Sequence, residues 1–216
     1  MGLGVQNEGG RKTFLTINDG SIKQAAKEET PGAVKREWEA KDGTKGEKWE
    51  LSYPNVSGNI VGLNYKDGDF GTSLMVDIQD GDEIYSLQIS TKSRYYDDLA
   101  KKIKSIDLEK PVELAPYNFE GDNAKRFTGI SVKQDGEKVM NYYYDGEKSI
   151  NKMPKVDKKE LEEMGKDYWT IYFVKVGSFL KKEIEGIKVP APKVVEASAN
   201  VDEPVKDDSD VQILPF

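Results

Sequence analysis

Apolar and polar side chains alternate along several short stretches of the chain. In residues 72–79, Leu74, Val76 and Ile78 share one face, and the other face is mostly polar. Because side chains of a strand point alternately to the two sides of a sheet, this period of two indicates half-buried antiparallel strands. The same alternation predicts three further buried faces: Trp49, Leu51 and Tyr53; Val61, Leu63 and Tyr65; Tyr85, Leu87 and Ile89.

Short polar turns separate these alternating stretches. Residues 11–17 and 21–24 alternate on either side of Asn18-Asp19-Gly20, which indicates a β-hairpin. Asp-Gly pairs tolerate the positive φ angles of tight turns, so each further pair marks a predicted turn. The fold class is therefore predicted to be mostly β. The further pairs are Asp42-Gly43, Asp67-Gly68, Asp80-Gly81, Asp135-Gly136 and Asp145-Gly146.

Two segments follow a helical period instead. Residues 94–106 carry apolar side chains three to four positions apart, with Ser93 as a suitable N-cap and Pro111 after the end. Residues 168–187 form an amphipathic stripe that we expect to pack on the sheet, and a capping box at residues 157–160 precedes it. A strand over residues 170–174 is the alternative. The apolar positions are Tyr95 or Tyr96, Leu99, Ile103 and Ile106, and then Trp169, Phe173, Val176, Leu180, Ile184 and Ile187.

The order of these elements predicts a particular barrel. Strands over residues 47–65, 72–79 and 83–90 precede the first helix, and strand-like sequence resumes after it. Three strands, a helix and two strands is the order of an OB fold, a five-stranded Greek-key barrel with its helix between the third and fourth strands. A generic β-barrel or sandwich with one helix is the alternative. The later strand-like stretches are 112–119, 125–133 and 138–144.

A change of composition divides the chain. Residues 1–10 are glycine-rich and predicted to be flexible, residues 11–150 form the OB-like barrel, and residues 151–188 are a helical extension of the same domain. From residue 189 the sequence has neither period nor aromatic residues until its very end. We interpret residues 189–216 as a flexible, disordered linker with an acidic docking tail.

The composition excludes many enzyme classes. The chain has no cysteine and no histidine, which removes thiolate chemistry, Ser-His catalysis and imidazole metal sites. Only carboxylate-bound Mg, Ca or Mn would remain. The pairs Asp80/Asp82 and Asp97/Asp98 are explained by a turn and a helix start, and no phosphate-binding loop is present. We therefore expect no enzyme, no catalytic residue, no metal and no cofactor.

The net charge of -7 is unevenly distributed. Residues 190–216 contain two cations and six anions, which leaves -3 on residues 1–189. This is not the strongly basic surface of a typical nucleic-acid binder, although a basic stripe can be offset by acidic residues elsewhere. No apolar run approaches the ~18 residues of a membrane span and no signal peptide is visible. We expect a cytoplasmic protein that does not contact a membrane.

The C-terminus combines an acidic run with an apolar tip. Apolar side chains at an exposed terminus do not stabilise the fold, so we interpret this tip as a docking peptide. Its terminal phenylalanine would enter a pocket while its carboxylates meet basic side chains. The predicted partner-docking residues are Asp207, Asp208, Asp210, Ile213, Leu214, Pro215 and Phe216.

This tip resembles that of bacterial single-stranded DNA-binding proteins, which end in an acidic run followed by Ile-Pro-Phe or Leu-Pro-Phe. The resemblance covers residues 207–216 and departs where residues 211–213 separate the aspartates from Leu-Pro-Phe. The extension over residues 150–187, which the short bacterial proteins lack, favours a phage-type member, in which an OB fold precedes such a tail.

The resemblance implies a function. The barrel would coat single-stranded DNA without strong sequence preference during phage DNA replication, recombination or repair, in the bacterial host cytoplasm. The tail would recruit a polymerase, helicase, primase or clamp and compete with DNA for the basic groove. A homo-oligomer is left open.

Two alternatives concern the same tip. Residues 212–216 also resemble the Gln-Leu-x-Leu-Phe peptide that docks on bacterial sliding clamps, with Pro215 where that motif prefers leucine. The protein would then be a protein–protein adaptor or virion component whose body binds no DNA. An incidental apolar terminus is the plainer alternative.

Single-strand binding needs aromatic platforms and cations, which OB folds place on strands two and three and in two loops. These loops map to residues 66–71 and 119–127. Each candidate also has a structural explanation, as a half-buried aromatic or a solvated cation. The predicted nucleic-acid-binding residues are Arg36, Trp38, Phe70, Lys92, Arg94, Lys125, Arg126, Phe127, Tyr142 and Tyr144.

Overall fold

A computed structural model describes residues 12–39, 43–69, 71–145, 148–154 and 168–192. Ten strands form one sheet in the order β10-β9-β8-β5-β6-β7-β1-β2-β4-β3, and β11 and β12 form a separate pair. The strands are β1 Lys12–Asn18, β2 Ser21–Ala26, β3 Val34–Glu39, β4 Lys45–Tyr53, β5 Val56–Gly68, β6 Gly71–Asp80, β7 Glu83–Ser90, β8 Val112–Glu120, β9 Arg126–Gln134, β10 Glu137–Lys138, β11 Tyr144–Asp145 and β12 Lys148–Ser149.

Two α-helices of the described residues pack on the sheet. Helix α1 spans Arg94–Ala100, and the Ser93 hydroxyl caps it by accepting the Tyr96 N–H at 3.2 Å. A 3-10 turn over Ile103–Ser105 follows. Helix α2 spans Tyr168–Glu185. The first helix is thus shorter than the predicted 94–106, whereas the second agrees with its prediction. The predicted capping box at 157–160 lies outside the described residues.

The core lies between the helices and one face of the sheet. Leu74, Val76 and Ile78 of β6 are buried there as the alternation predicts, beside Leu87 and Ile89 of β7. Burial of such side chains contributes about 1.5–3 kcal/mol each. The helices add a second layer of buried side chains: Tyr96, Leu99, Val176, Leu180 and Ile184.

The mostly β fold class is confirmed, and so is the first hairpin, β1–β2. A closed five-stranded barrel is not confirmed, because the sheet is open and has ten strands. One edge of β7 pairs with β6, and its other edge pairs with β1 in parallel. In this pairing Phe14 lies opposite Ser86 and Leu15 opposite Leu87. That pairing joins segments about seventy residues apart, beyond the reach of any local pattern.

The predicted burial of Trp49, Leu51 and Tyr53 is wrong. The first two are only half-buried and Tyr53 is exposed, while Glu50 of the opposite face is 7% exposed. Strand β4 lies near the sheet edge, between β2 and the exposed β3, where the core does not reach. There Glu50 pairs instead with Arg36 Nε at 3.1 Å and with Lys48.

The predicted strand over residues 138–144 is also wrong. Strand β10 ends at Lys138, and β11 begins only at Tyr144. Between them the chain leaves the sheet to cover α1, where the Tyr142 N–H donates to the Lys101 carbonyl at 2.8 Å. Tyr143 is buried in this segment and contacts Phe179 of α2 with ring centroids 5.7 Å apart.

Candidate nucleic-acid interface

Two exposed aromatic rings stack on the β8–β9 hairpin. Phe119 and Phe127 are directly opposite in the antiparallel register, with ring centroids 5.4 Å apart and planes 20° from parallel. They remain 55% and 40% exposed. The Lys125 ammonium lies 5.3 Å from the Phe127 centroid, within cation–π range. Exposed aromatic faces beside a cation are the platform on which nucleobases stack.

Two arginines lie close to this hairpin. The Arg126 Nε–H donates to Asn118 Oδ1 at 2.9 Å, and its guanidinium lies 3.6 Å from Asp19 while remaining largely exposed. The Arg94 guanidinium donates to the Arg126 carbonyl at 3.5 Å. These contacts orient the guanidinium groups without burying them, so both can meet a phosphate. We call Arg94, Phe119, Lys125, Arg126 and Phe127 the β8–β9 surface.

A partly buried carboxylate fixes this surface to α1. Asp98 accepts from the Lys102 ammonium at 2.7 Å, from the Ile130 N–H at 2.8 Å and from the Tyr117 hydroxyl at 3.4 Å. Burial, assisted by Asp98, raises the pKa of Tyr117 to about 12. Tyr117 therefore remains a neutral donor at physiological pH, and its ring lies 5.9 Å from that of Phe119.

Another exposed aromatic ring lies on β1. Phe14 is 60% exposed on the outer face of the sheet, and a cavity of about 210 Å³ separates it from the β5–β6 hairpin. Lys66, Met75 and Gln88 line that cavity. Beside it, Asp77 is buried and accepts from Lys12 at 2.8 Å and from Ser86 at 2.7 Å. We call Phe14 and the three lining residues the β1 face.

Contacts around the start of α1 connect the loops predicted to bind nucleic acid. A Cβ on Gly71, at the end of the β5–β6 hairpin, would lie 3.4 Å from the Lys92 ammonium. Two positions further on, Arg94 contacts the β8–β9 hairpin. The β1–β2 turn contacts both α1 and β8, because the Gly20 N–H donates to the Tyr95 hydroxyl and the Asn118 amide donates to Asp19.

Five of the predicted nucleic-acid-binding residues are thereby brought together around the start of α1. The structure describes Asp69 and Gly71 but not the predicted residue Phe70 between them. The predicted partner-docking residues, from Asp207 to Phe216, also lie outside the described residues. The five that meet are Lys92, Arg94, Lys125, Arg126 and Phe127.

The remaining four predicted residues lie elsewhere. Arg36 and Trp38 share a face of edge strand β3, which lies at the far end of the sheet from β8 and β9. Trp38 covers Gly46 of β4, and Arg36 pairs with the buried Glu50. Cross-strand packing therefore accounts for both.

Tyr142 and Tyr144 are half-buried against the core at the other end of α1. The Lys104 ammonium lies 5.2 Å from the Tyr142 ring. Because residues 139–143 do not form a strand, these tyrosines do not share a strand face with Lys138 and Met140.

Sequence reasoning missed Phe14 and Phe119. Phe14 alternates with the buried Leu15 and shares its face with Lys12, which was a usable signal for exposure. The stacking of Phe119 on Phe127 depends on the register of β8 and β9, which the loop length alone does not specify.

No protein family, curated protein or solved structure matches this chain. In the part of the chain that the structure describes, no helix is long and apolar enough to cross a membrane. No three acidic side chains of the described residues are arranged to hold a metal ion.

Proposed function

We propose that the chain is a phage-type single-stranded DNA-binding protein. It coats DNA without strong sequence preference during replication, recombination or repair and recruits partner proteins through its C-terminal tip. The observation that carries this proposal is the stacked pair Phe119 and Phe127 with the Lys125 ammonium beside it, and with Arg94 and Arg126 in contact at the same hairpin. Rings supply sequence-tolerant stacking and cations follow the phosphates.

The strand connections support the proposal. Strands β5, β6 and β7 form a meander, α1 follows, and β8 returns to pair with β5 before β9. This is the chain order and helix position of an OB fold, with the β1–β2 hairpin added at the edge of β7. In that arrangement the β5–β6 and β8–β9 hairpins correspond to the two loops with which OB folds bind strands.

The charge distribution is compatible with this function. The negative net charge comes mainly from residues 190–216, and the cations named above lie near one hairpin of the folded body. Exposed cations bind phosphates by releasing counterions, so affinity must fall steeply with salt. The resemblance of residues 207–216 to the tips of single-stranded DNA-binding proteins is the second support.

The proposal is tested by fluorescence anisotropy of labelled oligo-dT with the full chain at two salt concentrations. We expect salt-sensitive binding, and a truncation to residues 1–192 should bind at least as well. Replacing Phe127 by alanine should lower the affinity about 5- to 150-fold, because base stacking contributes about 1–3 kcal/mol per base.

The matched control is Ile150→Ala, which removes a similarly exposed apolar side chain. It should leave the affinity unchanged. A full chain that binds no oligo-dT at low salt overturns the proposal.

An adaptor function is the second candidate, and the acidic tip with its clamp-like residues 212–216 favours it. In that case a peptide of residues 203–216 binds a sliding clamp, a peptide of scrambled order does not, and the body has no affinity for oligo-dT.

A further inference from the structure

A cleft of about 610 Å³ lies between α2 and the ends of β6 and β7. Its volume is typical of sites for small organic ligands. We call it the α2 cleft. Its polar lining consists of Thr72, Thr91, Lys92, Tyr96, Thr170, Ser178 and Lys181.

The charge of the cleft is positive. Two lysines line it, and no acidic side chain among the described residues does. Lys92 makes no ion pair with another described residue. Lys181 pairs with Glu185 at 3.7 Å, but both side chains are about half exposed, so the pair is weak and Lys181 can turn to a ligand. An anion is therefore the complementary ligand.

The hydroxyl groups supply further donors. The Tyr65 and Tyr96 hydroxyls are 2.8 Å apart and share one hydrogen bond, so one of their two protons is left for another acceptor. Burial raises the pKa of both phenols, which keeps these protons in place. Ser178 is exposed on α2 and adds another donor. The lysine ammonium groups and the Ser178 hydroxyl thus face one space, and Tyr96 adds a third type of donor when Tyr65 donates the shared bond.

Two of the threonines have the opposite role. The Thr72 hydroxyl donates to Asp67 at 2.6 Å, and the Thr91 hydroxyl donates to the Thr72 carbonyl at 2.9 Å. Both protons are used, which leaves these oxygens as acceptors. A ligand that satisfies the cleft therefore has an anionic group and also a donor, together with an apolar part for Val174, which is 64% exposed. A nucleotide has all three.

The α2 cleft lies next to the β1 face, with the β5–β6 hairpin between them. Lys92 lies beside Gly71, whose φ of 109° is accessible mainly to glycine, so the hairpin bends past the lysine without a side chain between. The other side of the same hairpin lines the smaller cavity of the β1 face. A strand that crosses the β1 face can thus continue past the hairpin into the α2 cleft.

We propose that the α2 cleft binds a nucleotide unit, with its phosphate between Lys92 and Lys181. The inference rests on the proposed function in one respect, since the expected source of that nucleotide is a bound DNA strand. A free mononucleotide presents the same groups. Helix α2 is then part of the binding surface rather than only a cover for the core.

The first test compares Lys181→Gln with Lys182→Gln in the full chain. Lys182 is exposed on the same helix and does not line the cleft, so the control loses the same charge. With labelled oligo-dT, Lys181→Gln should lower affinity about 3- to 10-fold and reduce the magnitude of the salt slope by about 0.7, the value for one phosphate contact on a single strand. Lys92→Gln should do the same. Lys182→Gln should change neither quantity.

The second test measures proximity directly. The chain has no cysteine, so a single Thr170→Cys substitution at the rim of the cleft accepts one environment-sensitive fluorophore. We expect its emission to change with oligo-dT, whereas a label on Ile150→Cys should not respond. Titration with dTMP then shows whether the mononucleotide alone occupies the cleft.

The outcomes separate the two proposals. If the full chain binds oligo-dT but both lysine variants match Lys182→Gln and the Thr170 label is silent, the cleft assignment is wrong and the proposed function stands. If no oligo-dT binds but the label responds to dTMP, the cleft is a nucleotide site and the proposed function fails. If the full chain binds no oligo-dT and the Thr170 label responds to neither oligo-dT nor dTMP, both proposals are wrong.

Discussion

At the scale of single residues, two aromatic side chains with similar sequence neighbours have different environments. Trp38 lies two positions after Arg36 on β3, and Phe127 directly follows Arg126 on β9. The difference lies in the residue across the strand. Opposite Trp38 is Gly46, whose bare backbone the indole covers, whereas opposite Phe127 is a second exposed ring. Cross-strand partners thus separate an aromatic that stabilises the sheet from one available to a ligand.

This contrast gives a prediction for Trp38→Ala. The free energy of unfolding should fall by about 1 kcal/mol, because a cross-strand contact is lost. The affinity for oligo-dT should remain within about twofold of the parent value, since β3 is remote from the β8–β9 surface. Urea unfolding and anisotropy measure the two effects. A loss of DNA affinity as large as that of Phe127→Ala would show that β3 belongs to the interface.

At the scale of elements, buried polar groups join the helices to the sheet. Lys102 of the turn after α1 is only 7% exposed and bonds both Asp98 and the Ile130 carbonyl of β9. Lys101 and Asp97 bond the Tyr172 hydroxyl of α2 at 2.5 and 2.9 Å. Both helices are therefore held in place by polar contacts of charged groups as well as by packing of apolar side chains.

Asp98 should be the most sensitive of these groups. Asp98→Ala leaves the buried Lys102 ammonium without its carboxylate, and removing one partner of a buried pair costs about 3–5 kcal/mol. We therefore expect a large drop in the urea midpoint. Lys110→Ala is the control, because the exposed pair Lys110–Asp135 contributes at most about 1 kcal/mol. Equal losses for the two variants would contradict this account of α1.

At the scale of the whole molecule, the β1–β2 hairpin decides the architecture. It occupies the edge of β7 and connects the meander to the outer strands β4 and β3, so the sheet stays open. Its turn also contacts β8 through Asp19 and Asn118. The hairpin therefore both replaces a barrel closure and lies beside the proposed DNA path.

The buried tyrosines predict how stability depends on pH. Burial is the main cause that raises the pKa of Tyr65, Tyr96, Tyr117 and Tyr143 in the folded chain, to about 12 for Tyr117. In the unfolded chain the same phenols titrate near about 10. A raised folded pKa gives stability that is complete below about pH 10 and is lost as the pH rises through the folded values.

Urea midpoints should accordingly be level up to about pH 9 and fall between about pH 10 and 12. Tyrosinate absorbance should show a fraction of phenols that ionise only as the protein unfolds. Tyr117→Phe should weaken the dependence, because it removes one of the late-titrating groups. A flat profile over this range would refute the burial of these phenols.

Much of the local structure was predictable from the sequence because short-range chemistry decides it. The turns at Asp19-Gly20 and Asp135-Gly136, the Ser93 cap and the alternation in β6 each depend on neighbours a few residues away, whereas the predicted turn at Asp67-Gly68 is wrong because both residues pair within β5. The candidate cations at 92, 94, 125 and 126 were likewise recognisable, since exposure of charge near predicted loops needs no long-range information.

The tertiary structure decided the rest. Only in the folded chain does β1 pair with β7, Phe119 stack on Phe127 and Trp49 lie near the edge of the sheet. The α2 cleft likewise forms between segments that are about a hundred residues apart in the sequence. In each case the deciding contact joins distant parts of the chain. Its free energy depends on register and burial, which no pattern of neighbouring residues contains.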